Sequence, residues 1–149
     1  MLLTTPGIAI RSGVAILAEV TMFPPDCKPK QWVALTGIDP KEDQSGDKTK
    51  AKKISKAGNA YLRGALYMPA MSASTHDPLV RAFYSKLVDE RKKHKVLAQV
   101  AVMRRLLHAI WGMFHYDQAF DGEKFHPLPP VEEVSGDRMA APLPKAVTS

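Results

Sequence analysis

A chain of 149 residues is long enough for one compact domain and short for two. Its apolar share of 45% excludes disorder throughout, and a lone cysteine, Cys27, excludes an internal disulfide or a multi-cysteine zinc site, as suits a reducing cytoplasm. The net charge of +6 favours a polyanionic partner such as nucleic acid, although basic proteins without any specific partner are common.

The segment Met1 to Gly7 lacks the basic start and long apolar run of a signal peptide. Pro6-Gly7 marks a turn, and Val14, Leu17, Ala18 and Val20 set a helical pattern from Arg11 to about Thr21, which Pro24, Pro25 and Pro29 end. Lys30 to Leu35 reads as a short second helix stopped by Gly37. From Ile38 to Ser55 no period is sustained, so a long basic loop or weak hairpin is expected there. A helix from about Ala57 to Ser74 should bury Leu62, Ala65, Leu66 and Met68 to Ala70, with a bend at Pro69. Asp77-Pro78 is a cap and first-turn pair for a helix carrying Leu79, Val80, Phe83, Tyr84 and Leu87.

The strongest periodicity runs from Lys95 to about His115, with Val96, Val100, Met103, Leu107, Ile110, Trp111 and Phe114 on one side. Arg104, Arg105 and His108 interrupt the apolar run, so it is an amphipathic or buried helix and not a membrane span; the three are assigned to its polar side. After Phe120 the prolines at 127, 129, 130, 142 and 144 describe a flexible, disordered tail. The expected architecture is all-α: a helical domain over residues 1–120 with a long basic loop, and a Pro-rich tail over 121–149.

Three constellations bear on chemistry. The turn at Gly7, followed by a helix with Arg11 near its start, resembles the second half of a helix-hairpin-helix, whose free amides face a DNA phosphate. Ala9 stands where the motif's second glycine is usual, and Pro-Gly is also an ordinary turn. The second constellation is the basic loop, where Lys48, Lys50, Lys52, Lys53 and Lys56 surround Ser45-Gly46 with Asp47 as the nearby acid. Solvation is the usual fate of such a run, but Gly46 admits close backbone approach, and Asn59 and Arg63 open the next helix, where Arg63 is placed to clamp a phosphate. An unactivated serine still needs a base or a cationic cradle to act as a nucleophile. The third is Arg91-Lys92-Lys93-His94-Lys95, an exposed inter-helix turn by default and a backbone-tracking patch otherwise.

Metal chemistry finds little support. His108 and His115 are seven residues apart without matching carboxylates, and Asp39, Glu42, Asp43 and Asp47 read as solvated or lysine-paired loop acids. Met68, Met71, Met103 and Met113 read as core filler.

The order of features is more specific than any one of them. Thr5-Pro6-Gly7-Ile8, then Lys30-Gln31-Trp32-Val33-Ala34-Leu35-Thr36-Gly37-Ile38-Asp39-Pro40, Gln44-Ser45-Gly46, Ile54-Ser55-Lys56-Ala57-Gly58-Asn59 and Leu62-Arg63-Gly64-Ala65-Leu66-Tyr67 follow one another. Pro78, Ala82-Phe83-Tyr84 and Arg104 to Leu107 continue the series. Over about residues 3–117 the chain resembles the C-terminal transposase domain of the bridge-RNA-guided, DEDD-type insertion-sequence transposases.

The resemblance implies that Ser45 is a nucleophile that attacks a scissile DNA phosphate and forms a transient phosphoserine link. It implies DNA and a structured guide RNA as partners, held by Lys53, Lys56 and Arg63, in a homo-oligomer or together with full-length transposase. It further implies magnesium, bound in full-length members by four acids of an N-terminal RuvC-like domain. No such domain precedes Met1, so the expectation is a truncated copy that binds nucleic acid in the cytoplasm or nucleoid and does not complete recombination alone. A non-catalytic nucleic-acid-binding remnant is the alternative.

Overall fold

The computed structural model describes residues 1–41 and 53–125, and it is all-α apart from one minimal strand pair. After a single 3-10 turn, Leu2–Thr4, the chain reverses at Thr5-Pro6-Gly7-Ile8. The Ile8 amide donates to the Thr5 carbonyl at 3.1 Å, with Gly7 at φ +79°, the third position of a type II turn, where glycine is favoured.

Helix α1, Ile10–Val20, begins after Ala9, whose methyl cannot cap. Ser12 substitutes: its Oγ accepts from the Ala9 amide at 3.1 Å and donates to the Ala9 carbonyl at 3.0 Å. Helix α2, Pro29–Thr36, places Pro29 in its first turn, where the missing N–H costs nothing. Pro29 therefore starts the second helix and does not terminate the first. Gly37 ends α2 in the left-handed conformation, φ +70°.

The expected loop or weak hairpin has a hairpin's base. Strand β1, Pro40–Lys41, pairs antiparallel with β2, Lys53–Ile54, with Pro40 opposite Ile54 and Lys41 opposite Lys53. Helix α3, Ala60–His76, follows an Asn59 cap whose side chain accepts from the Leu62 amide at 3.0 Å. It continues through Pro69, although a proline in a helix interior costs about 3 kcal/mol. Leu62 and Leu66 are fully buried on the same helix, and at roughly 2 kcal/mol each their burial offsets that cost.

Helix α4, Pro78–Ser85, is capped by Asp77, which accepts from the amides of Leu79 and Val80 at 3.0 and 2.9 Å, and it runs on into a π turn, Lys86–Glu90. Helix α5, Lys95–Tyr116, ends at Asp117 in the left-handed region, φ 50°. A short α6, Gly122–Phe125, closes the described body.

Helix α3 lies at the centre, packed against α1, α4 and α5, and α2 rests on α5. The core joins Ile16 and Val20 of α1, Trp32 and Val33 of α2, Leu62, Leu66 and Ala70 of α3, and Val102, Leu106, Leu107 and Ile110 of α5. Several assigned faces differ from expectation. Met68 and Met71 are exposed on the outer side of α3, while Met103 and Met113 are core as expected. Val96 and Phe114 are also exposed, on the outer face of α5, although Ala98 and Met113 close by are buried.

Arg105 does not face solvent with a polar stripe. Its guanidinium lies 4.7 Å from the Phe83 ring centre and 5.6 Å from that of Phe125. Phe125 is 3% exposed and belongs to the core, so the packed body runs past residue 120; the Pro-rich segment from residue 126 lies outside the described residues. Among the described residues, no helix is long and apolar enough to cross a membrane.

Candidate nucleic-acid interface

The last carbonyls of any helix lack intrahelical partners and need donors from elsewhere. At the end of α2 the segment from Ser55 to Arg63 provides them. The Asn59 amide donates to the Leu35 carbonyl at 2.7 Å, Arg63 Nη1 to the Thr36 carbonyl at 2.9 Å, and the Lys56 amide to the Gly37 carbonyl at 3.0 Å. The approach is close enough that a Cβ on Gly58 would overlap the Leu35 carbonyl oxygen and lie 2.7 Å from the Gly37 nitrogen. Asn59 then links the whole to α1, donating from Nδ2 to Glu19 Oε2 at 2.5 Å.

One step outward, Asp39 and Ser55 join twice. The Ser55 amide donates to the Asp39 carbonyl at 3.0 Å, and Ser55 Oγ donates to Asp39 Oδ1 at 2.6 Å. Together with the strand pair these bonds form a stem between residues 39–41 and 53–55. Among the described residues Asp39 is thus bonded to Ser55, a partner that its reading as a loop acid did not include.

Of the residues singled out from sequence, Ser45, Gly46, Lys48, Lys50 and Lys52 lie outside the described residues, and Lys53 is described by its backbone in β2. Lys56 is exposed at the foot of the stem in a left-handed conformation, φ 53°. Arg63 is half-buried, and the bond to Thr36 occupies one of the five N–H donors of its guanidinium. Asn59 has both ends of its amide engaged, one capping α3 and one on Glu19. The fold thus brings Lys56, Asn59 and Arg63 to the end of α2 beside the stem, with Asn59 bonded within the fold.

Gly7 and Arg11 sit apart, at the start of α1. A Cβ on Gly7 would overlap the Pro69 carbonyl oxygen and lie 2.9 Å from the Ala73 nitrogen, so this glycine lets the turn pack on α3. Ser12 bonds to Ala9 only, no N-cap side chain accepts from the first amides of α1, and Arg11 is exposed on its first turn. The run from Arg91 to Lys95 is an exposed turn, with the Arg91 amide on the Lys86 carbonyl and the Lys93 amide on the Leu87 carbonyl.

Among the described residues no group of three or more His, Cys, Asp or Glu side chains is placed to hold a metal ion. His108 is half-buried, and its Nε2 has no hydrogen-bond partner among the described residues. Burial, then Arg104, Arg105 and Lys30, hold its pKa below the ordinary histidine value.

Sequence reasoning missed two things. It did not pair Asp39 with Ser55, sixteen residues apart, and it did not see that Trp111, His115 and Tyr116 form one cluster of touching rings. The spacing of four between Trp111 and His115 was the available signal for the second.

Two pilin gene-inverting proteins, from Moraxella bovis and Moraxella lacunata, are each 27% identical to the chain over 122 residues. That match takes in 81% of this chain and 38% of each relative, so the chain spans well under half their length. The family model described as Transposase IS116/IS110/IS902 family matches residues 1–85, which take in α1, the stem, α3 and α4 up to Ser85. With more than half of its residues inside that match, the chain belongs to the IS116/IS110/IS902 transposase family.

Proposed function

We propose that this chain is the DNA-engaging helical part of an insertion-sequence transposase, with Ser45 as the residue that attacks the scissile phosphate. The observation that supports the reading is the stem: within the family match, Asp39, Ser55 and the strand pair join the chain on either side of the segment that contains Ser45, with Lys56 and Arg63 following directly. A nucleophile on a loop with fixed ends loses less freedom on reaching its target, and phosphoryl transfer depends mainly on such positioning and on charge compensation. The relatives are named for inverting a pilin gene, which is consistent with a DNA rearrangement as the substrate class.

In the proposed step the Ser45 Oγ–P bond forms as one P–O bond to deoxyribose breaks. The hydroxyl proton passes, directly or through water, to the leaving sugar oxygen, so the exchange of one ester for another needs no redox partner. Lys48, Lys50, Lys52, Lys53, Lys56 and Arg63 would offset the phosphate charge, and the free amides of α1 beside Gly7 and Arg11 would hold a neighbouring backbone phosphate. Magnesium, in this reading, would be held by the separate acidic domain that the resemblance implies, since no group of three or more His, Cys, Asp or Glu side chains is placed for it among the described residues. A structured guide RNA and self-association belong to the same reading.

The test is adduct formation on a nicked DNA substrate, by the chain alone and with an intact transposase supplied in trans. A covalent protein–DNA band that Ser45→Ala abolishes supports the nucleophile. Duplex binding retained without any band, even in trans, makes the chain a non-catalytic nucleic-acid-binding remnant.

A further inference from the structure

At the C-terminal end of α5, far along the chain from the serine loop, three rings are held together. Trp111 and His115 stack with centroids 4.5 Å apart and planes 13° from parallel, and Tyr116 stands edge-on to both at 6.2 and 4.8 Å. Trp111 Nε1 donates to the Cys27 carbonyl at 2.8 Å, which fixes the indole against the connection between α1 and α2. Burial does not explain the rest of the cluster: His115 is exposed and Tyr116 is 62% exposed.

A cleft of about 590 Å³ opens between that connection and α5. Trp111 and His115 form one wall, Lys28 and Lys30 stand on the other, and Asp26 is the acid among the lining residues. Its size is that of a site for a single nucleotide-sized group. Arg104 and Lys30 both act on nearby His108, so the surroundings carry a positive field beyond the cleft itself. Stacked rings flanked by flexible cations are the physical requirement for holding unpaired nucleotides, because every base offers a π face and every phosphate a charge.

We propose that this cleft binds an unpaired stretch of nucleic acid, one base extending the Trp111–His115 stack while Lys28 and Lys30 neutralise its phosphates. The inference rests on the reading of the chain as nucleic-acid-engaging, and adds a second contact separate from the serine loop. Helix α2 joins the two: Pro29 lines the cleft and Thr36 meets Arg63 at the stem, seven residues and about 10.5 Å apart at 1.5 Å per residue. A strand leaving a duplex at the stem would therefore find a stacking surface one short helix away.

The full chain is titrated with labelled oligothymidylate, oligouridylate and a blunt duplex, following anisotropy and tryptophan fluorescence. Either single strand should quench the fluorescence, and a Trp111→Phe variant should lose most of that quenching, since Trp32 is buried. His115→Ala should weaken single-strand binding about tenfold and leave duplex binding within about twofold. Lys28→Gln with Lys30→Gln should flatten the logarithmic salt dependence of single-strand binding by about 1.4, at roughly 0.7 per phosphate.

A preference between the thymidylate and uridylate arms identifies the strand as DNA or RNA. Equal single-strand affinity in the parent and in His115→Ala overturns the proposal. So does a proline-rich peptide that quenches Trp111 where single strands do not, which would make the cleft a protein-docking site. A chain that binds duplex but no single strand overturns this inference and leaves the serine-loop reading standing. Binding to neither overturns both.

Discussion

Asn59 illustrates how a residue chosen for one role is found in another. Its place ahead of α3 suggested a phosphate contact, yet its oxygen caps the helix and its nitrogen reaches Glu19 on α1. Asn59→Ala is expected to lower stability by about 1–2 kcal/mol, a lost cap plus a lost charge-assisted bond. Asn59→Asp should keep the cap but set a carboxylate against Glu19, and so fall between parent and alanine in a urea-denaturation series. If the alanine variant is as stable as the parent, the residue is free for ligand after all. Gly58 has a steric reason, the backbone of α2 lying where a side chain would stand.

Elements here are joined by polar bonds as much as by their apolar faces. The end of α2 depends on donors from a segment some twenty residues later, and this dependence builds the stem that carries the serine loop. Between α2 and α5 the opposite situation holds at His108, half-buried beside Lys30, Arg104 and Arg105. Its folded pKa is depressed, so the unfolded chain takes up the proton first as pH falls below about 6.5, and stability drops from there toward the lower folded value. The melting temperature should decline as pH falls below about 6.5, and His108→Gln should make that decline shallower. Identical slopes would remove His108 from the account. The helices themselves were legible: Gly37, Asp77-Pro78 and the period of α5 mark their bounds within a few residues. The outward turn of Met68 and Met71 was not, because a helical period gives a face and not the partner that covers it.

At the scale of the whole molecule, the family match ends at residue 85 while the core does not. Val102, Leu106, Leu107 and Ile110 of α5 complete the surface that α3 presents. A chain cut after residue 85 should therefore show no cooperative unfolding transition. A chain ending at residue 125 should melt like the parent, and one ending at residue 120 should lose about 3 kcal/mol with Phe125 and its contact to Phe83. Equal stability of the two longer chains would place the edge of the domain at residue 120, where composition alone put it.

Composition, periodicity and turn chemistry determined the helical class, the order of elements and the lysine-rich character of residues 48–56, because these are local properties of residues near in sequence. Only the tertiary structure decided that Asp39 meets Ser55, that Arg63 closes α2, that Arg105 lies over Phe83 and Phe125, and that Trp111 and His115 face Lys28 and Lys30 across a cleft. Each of these pairs residues far apart along the chain or on different elements, and such contacts are fixed by how helices pack and not by the pattern within any one of them.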